Sequence, residues 1–187
     1  EGGWPGANPT DTKLFENKNN FSKAKFTAFG MTKRSGRSAD NDPQLRSLID
    51  AHSDSVCLVA KTWDFHVDLA LGISLEENVE AIKDSVLSVK ASGKEALIDC
   101  EHFFDGYKSN SEFSFKCIES ALESGAEWVV LCDTNGGTLP NEIFNIVNEI
   151  TKKFPGDKIG IHCHNDTENA VANSLAAIDA GARHLQG

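Results

Sequence analysis

Three short segments carry residues whose types and spacing can do chemistry. In Lys158-Ile159-Gly160-Ile161-His162-Cys163-His164-Asn165-Asp166, a strand would send Gly160, His162 and His164 to one face and Ile159, Ile161 and Cys163 to the other, because successive strand side chains alternate. Two imidazoles on one face at a strand exit can share a divalent metal, although such a pair serves as often in a polar core and leaves a metal site incomplete. In Leu97-Ile98-Asp99-Cys100-Glu101 the same parity puts Asp99 and Glu101 side by side. A nearby metal keeps a carboxylate ionised, whereas burial or a like charge raises its pKa and makes a proton carrier. Glu101, nearer the strand mouth, is the better candidate acid or base. An ion pair with a Lys or Arg of a neighbouring strand is the competing reading. In Leu131-Cys132-Asp133-Thr134-Asn135-Gly136-Gly137-Thr138-Leu139-Pro140 an apolar strand runs into a Gly-rich turn. Its amides can bind an anion and Thr134 can donate to a carboxylate, although a plain turn also uses Asn and Gly. Lys33, Arg34 and Arg37 form a basic loop, able to meet coenzyme phosphates, with a solvated loop as the simpler reading.

Positioning these residues requires a repeated strand and helix unit. Apolar runs at 26–29, 56–60, 96–98, 128–131 and 159–161, with a last one starting at His184, alternate with helical periodicity over 75–89, 112–122, 142–150 and 168–178. Asn110 or Ser111 and Asp166 or Thr167 are candidate N-caps, and Gly93, Gly125 and Gly181 stand where helices should stop. The alternation predicts a parallel sheet covered by helices, either a closed barrel or an open doubly wound sheet. No Gly-rich dinucleotide fingerprint follows any strand, while Lys61, Asp99, Glu101, Asp133, Thr134, His162 and His164 gather at successive strand exits. That distribution favours an α/β fold of the (β/α)8 TIM-barrel type, whose site is assembled from the C-terminal ends of many strands.

A full barrel needs about 250 residues, so the 187 residues here are expected to form an incomplete barrel, lacking the first strand and most of the last. Glu1-Gly2-Gly3 reads as the exit of a strand whose body lies upstream, and Gly187 falls just inside a strand beginning near Arg183. Residues 1–187 are read as one partial catalytic domain, without a second domain.

Composition narrows the chemistry. The chain is 40% hydrophobic and 25% charged, an ordinary globular profile. Its net charge of −10 argues against nucleic acid as a partner, since phosphate binding needs clustered Lys and Arg. No apolar run approaches the roughly 20 residues that span a bilayer, and no segment resembles a signal peptide, so a cytoplasmic protein without membrane contact is expected. The five cysteines, Cys57, Cys100, Cys117, Cys132 and Cys163, form no CxxC pair and read as buried reduced thiols rather than metal ligands.

Taken together, DTNGGTLP and IHCHNDTENAVANSLAAIDAGARHLQG resemble the superfamily of barrel metal enzymes that contains isopropylmalate, homocitrate and citramalate synthases and hydroxymethylglutaryl-CoA lyase. EGGWPGANPTD, KTWDFHV and DCEHFFDGYKSN are most similar to the citramalate synthases. The resemblance implies that His162 and His164 ligate a divalent metal (Zn, Mn or Mg), that Glu101 is the catalytic carboxylate, that Thr134 binds the carboxylate of a 2-oxo acid, and that Asp99 lines the same pocket. It implies an acyltransferase joining acetyl-CoA, a co-substrate, to pyruvate in isoleucine biosynthesis, and a homodimer for the full-length protein. A related synthase or lyase of the superfamily, or an inactive metal-binding barrel fragment, is the alternative. The family's Arg-Asp pair of the first strand, its NGxGER motif after the last and its C-terminal accessory region have no counterpart in these residues, so the isolated fragment is expected to be inactive.

Overall fold

The computed structural model describes residues 1–17 and 21–187. After a short helix α1 (Pro9–Leu14), the chain alternates strands and helices: β1 (Thr27–Met31), α2 (Pro43–Asp50), β2 (Ser55–Lys61), α3 (Asp64–His66), α4 (Leu75–Ala91), β3 (Glu95–Glu101), α5 (Phe103–Glu123), β4 (Trp128–Asp133), α6 (Pro140–Lys153), β5 (Ile159–Cys163), α7 (Ala170–Asp179) and β6 (His184–Gln186). A wider helical turn, Val67–Leu71, continues α3. The six strands lie in sequence order in one sheet, and every neighbouring pair is parallel. Gly3 bridges Ala28 in the same direction, with Phe29 N donating to Gly3 O at 2.9 Å, so the first residues add to the sheet beside β1.

Strand parity sorts the side chains as expected. Val56, Leu58 and Ala60, Ala96, Ile98 and Cys100, Val129 and Leu131, and Ile159 and Ile161 are fully buried against Ile82, Val86 and Val89 of α4, Cys117 and Ile118 of α5 and Ile143, Val147 and Ile150 of α6. The opposite parity, Lys61, Asp99, Glu101 and His162 included, forms the other face. That face is concave. In a flat sheet β3 and β6 stand three spacings apart, about 14 Å, yet the Gln186 amide of β6 donates to the Asp99 carboxylate of β3 at 2.9 Å. The sheet is therefore curled as in a partial barrel, and it is not closed.

Several boundaries differ from the sequence expectation for identifiable reasons. Asn110 does cap a helical segment, its side chain accepting from Phe113 N at 3.1 Å. The helix nevertheless begins at Phe103 and only kinks at Asn110 (φ −148°, ψ 80°), because buried Phe103 and Phe104 anchor an extra N-terminal stretch. Neither Asp166 nor Thr167 caps α7. Asn165 accepts from Ala170 N at 3.1 Å, while the Thr167 hydroxyl donates to Gly136 O at 2.6 Å and ties two loops together. Gly93, Gly125 and Gly181 do end helices, at φ of +82°, +95° and +109°, the left-handed region that favours glycine. Four of the five cysteines are buried and all are unbridged. Among the described residues, no helix is long and apolar enough to cross a membrane.

Candidate active site at the strand exits

The two histidines share a side. Their ring centroids are 5.2 Å apart at 68°. His162 Nδ1 lies 2.9 Å from Gln186 Oε1, and His164 Nδ1 lies 2.7 Å from the Thr134 carbonyl oxygen. Both neighbours are oxygens that only accept, so in the neutral ring the tautomer that fits carries its proton on Nδ1 and leaves the Nε2 lone pair free. Metal-bound histidines show this arrangement, one nitrogen donating to an oxygen and the other facing the ion. The pair therefore fits a divalent cation, with two ligands of the set.

Thr134 joins the histidines to the next strand. Its hydroxyl accepts from His102 N at 2.8 Å and still has its own proton to donate. His102 adopts a left-handed backbone (φ 52°, ψ 37°) as α5 begins, a conformation uncommon outside glycine. That bend turns the amide towards Thr134. The His102 ring faces Asp105, Nδ1 to Oδ2 at 3.2 Å, and Asn135 Nδ2 holds the same carboxylate oxygen at 2.9 Å. His102, His66 and Trp63 form a cluster with centroid separations of 4.5 Å (His66 to His102) and 4.6 Å (Trp63 to His66). Burial, then the neighbouring His102 and Lys61, push the His66 pKa down, so its ring favours the neutral form.

Glu101 pairs with Lys61 at the matching position of β2, so the ion pair weighed from the sequence does form. Its side chain keeps 27% exposure, and its backbone carbonyl accepts from the Thr62 hydroxyl at 2.9 Å. Asp99 sits deeper and is buried. Burial raises its pKa against the opposing hydrogen bonds from Cys57 and Gln186. Ligand atoms of Glu1, Cys57 and Asp99 all lie within 4.8 Å of one another. Burial, with the Asp99 and Glu1 carboxylates beside it, pushes the Cys57 thiol well up, which favours the neutral donor over a metal-binding thiolate.

Other sequence candidates fall away from this group. Asp133 stands among the strand-exit residues in the sequence, but its parity turns it into the helix layer. There it is 1% exposed, accepting from the Thr138 hydroxyl at 2.8 Å, Thr138 N at 3.3 Å and Asn173 Nδ2 at 3.4 Å. Those bonds, and Gly136 N donating to Asp133 O at 3.0 Å, consume loop amides that an anion would need. The basic loop is likewise tied to itself: Lys33 Nζ reaches Arg37 O at 3.0 Å, and Arg34 Nε reaches Gln44 Oε1 at 3.0 Å. A cavity of about 710 Å³ between α4 and α5, lined by residues such as Leu75, Val79, Leu87 and Phe113, contains none of the candidates. Polar groups converge instead at the strand exits, where His162, His164 and Thr134 are linked by hydrogen bonds and ring contact. Sequence reasoning missed Gln186, His102, His66 and Trp63. Parity and pairing register, which sets His162 opposite Gln186, were the signal for the first.

Known proteins are similar to this chain in sequence and in fold. An (R)-citramalate synthase of Aquifex aeolicus is 51% identical over 189 residues, covering 100% of this chain and 36% of that protein. A 2-isopropylmalate synthase of Sulfolobus acidocaldarius is 34% identical over 138 residues, covering 73% of this chain and 35% of that protein. The chain thus spans little more than a third of the curated relatives it matches. A crystal structure of hydroxymethylglutaryl-CoA lyase from Pseudomonas aeruginosa superposes with a TM-score of 0.75 at 13% identity, over 95% of this chain and 57% of that one, a likeness of fold. The HMGL-like family model matches residues 27–187, from the first residue of β1 through the histidine strand to the end of β6, and on that match the chain belongs to the HMGL-like family.

Proposed function

We propose that this chain is the catalytic barrel portion of a metal-dependent acyltransferase that condenses acetyl-CoA with pyruvate and water to give citramalate and free CoA. The observation that carries the reading is the histidine pair, each ring anchored through Nδ1 with Nε2 left for a ligand. The (R)-citramalate synthase relative at 51% identity supports the substrate assignment. When bound, a divalent cation held by His162 and His164 supplies Lewis acidity to the ketone of the 2-oxo acid.

The chain's own residues do the rest. The Thr134 hydroxyl, its lone pair engaged by His102 N, points its proton to the carboxylate of the 2-oxo acid. Glu101 is the carboxylate that moves a proton at the reacting centre. Lys61 fixes its position through their ion pair. Asp99 lines the floor of the pocket. Acetyl-CoA and the 2-oxo acid are the small-molecule partners, and the full-length protein is a homodimer.

Release of CoA thiol by the full-length protein, measured across pyruvate, 2-oxoisovalerate and 2-oxoglutarate with acetyl-CoA, tests this. Pyruvate is expected to give the highest kcat/KM, and preference for another acid rejects the citramalate assignment. Replacing His162 and His164 by Ala is expected to abolish Mn²⁺ binding at this site, and unchanged affinity rejects the metal assignment.

A further inference from the structure

The barrel interior contains a polar chain whose middle member, Gln186, has no part in the proposed chemistry. It runs from Asp99 on β3, through the Gln186 amide on β6, to His162 on β5. Gln186 Nε2 donates to Asp99 Oδ1 at 2.9 Å and lies 4.0 Å from Cys57 Sγ, while Gln186 Oε1 faces His162 Nδ1 at 2.9 Å. A glutamine amide presents a donor on one side and an acceptor on the other, and its neighbours decide which way it lies. Here Asp99 decides. Turned over, the amide would set its oxygen against a buried carboxylate oxygen and its NH2 against His162 Nδ1. That second contact is acceptable only if the imidazole proton moves to Nε2, the nitrogen a metal needs bare.

We infer that Gln186, oriented by Asp99, is a positioning residue that holds His162 in the Nδ1-protonated tautomer and so keeps Nε2 free for the divalent cation. The inference rests on the metal reading proposed above and adds a requirement to it. His164 obtains the same tautomer from the Thr134 carbonyl oxygen, a backbone group that cannot turn over. The two ligands are thus prepared differently: one by main chain fixed in a loop, the other by a side-chain relay across the barrel. Register makes the relay possible, because His162 and Gln186 are partners in the β5 and β6 pairing, and curvature brings β3 within reach.

Three substitutions separate the roles. Gln186→Leu removes the acceptor, Gln186→Glu keeps an oxygen facing His162 while its second oxygen shares a proton with Asp99, and Asp99→Asn replaces an acceptor-only carboxylate by an amide that can meet Gln186 either way round, so that the Gln186 orientation is no longer dictated. The full-length protein, labelled with ¹⁵N-histidine, reports the tautomer of His162 by NMR without metal. Competition with a fluorescent chelator reports Mn²⁺ affinity, and thermal melting reports folding. Gln186→Leu and Asp99→Asn are expected to lose the Nδ1-protonated signature and to bind Mn²⁺ roughly 10- to 100-fold more weakly, the usual cost of removing a partner behind a ligand. Gln186→Glu is expected to keep both tautomer and affinity. If Gln186→Leu does not fold, the contrast between Gln186→Glu and Asp99→Asn decides the matter alone. Wild-type affinity and tautomer in Asp99→Asn, alongside lost binding in His162→Ala, overturn the inference while leaving the metal site standing. Unchanged binding in His162→Ala and His164→Ala overturns the metal reading itself.

Discussion

Gly106 lies in the first turns of α5, where helix propensity alone predicts that alanine is better by about 1 kcal/mol. The structure reverses that sign. A β-carbon there would collide with the Thr62 carbonyl oxygen and lie 2.8 Å from Trp63 Cα and 3.0 Å from the Thr62 carbonyl carbon. All three are backbone atoms of the β2 exit, so no side chain can swing away. Restoring ordinary contact requires α5 and the strand exit to part by several tenths of an ångström to about 1 Å. Overpacking of this kind costs about 1–3 kcal/mol. With rigid partners the upper end applies, leaving a net loss of about 1–2 kcal/mol for Gly106→Ala after the propensity gain. The same displacement moves His102 N from Thr134 and Thr62 from Glu101, and a misplacement near 1 Å at reacting groups can cost about 10²-fold in rate. The expected result is a lower urea midpoint together with a kcat for CoA release reduced about 10- to 100-fold in the full-length protein. Gly93→Ala is the control: it strains a left-handed residue (φ +82°) with nothing within 4 Å, so it is expected to lose about 1 kcal/mol and keep kcat. A Gly106→Ala protein with a raised midpoint and wild-type kcat refutes the argument.

Asp133→Ala strips a buried acceptor from Thr138 and Asn173 and is expected to cost about 2–4 kcal/mol, read as a lower urea midpoint with an unchanged m value. Asn110→Ala removes the cap at the kink of α5; a loss of about 1 kcal/mol with unaltered Mn²⁺ affinity is expected, since the kink lies two turns beyond His102. Burial holds a proton on Asp99 to a higher pH than its ordinary value of 3.8, so the folded chain binds more protons than the unfolded one between 3.8 and the raised value. Stability must therefore fall as pH rises through that window. Asp99→Asn is expected to flatten this fall in unfolding free energy measured against pH, and an unaltered slope contradicts the burial argument.

The parts of this fold that were legible in the sequence are those set by local chemistry. Apolar runs of strand length, the glycines after α4, α5 and α7 and the parity of His162 and His164 follow from period and backbone freedom alone, and the structure agrees with each. Local signals failed where a residue answered to a distant partner. Thr167 has the right type and place for a cap, but its hydroxyl is taken by Gly136 O of the preceding βα loop. Asp133 has the right place for the site but the wrong parity, one residue short of Thr134. α5 starts nine residues before the helical periodicity does, because Phe103 and Phe104 follow a carboxylate and a histidine and match no amphipathic stripe until the β-sheet surface is there to bury them.

The candidate site divides along the same line. His162, His164, Glu101, Thr134 and Asp99 are recognisable because each has a reactive type at a strand exit, where a parallel barrel collects its chemistry. Their supporting partners are invisible to that logic. Gln186 is an ordinary amide on a short strand, and only the register of β5 with β6 and the curl of the sheet give it His162 on one side and Asp99 on the other. His102 becomes relevant through a left-handed bend that aims its amide at Thr134, which its residue type does not announce. Reactive groups are chosen by chemistry and can be read singly, whereas the groups that orient them are chosen by position, and position exists only once strands far apart in sequence have met.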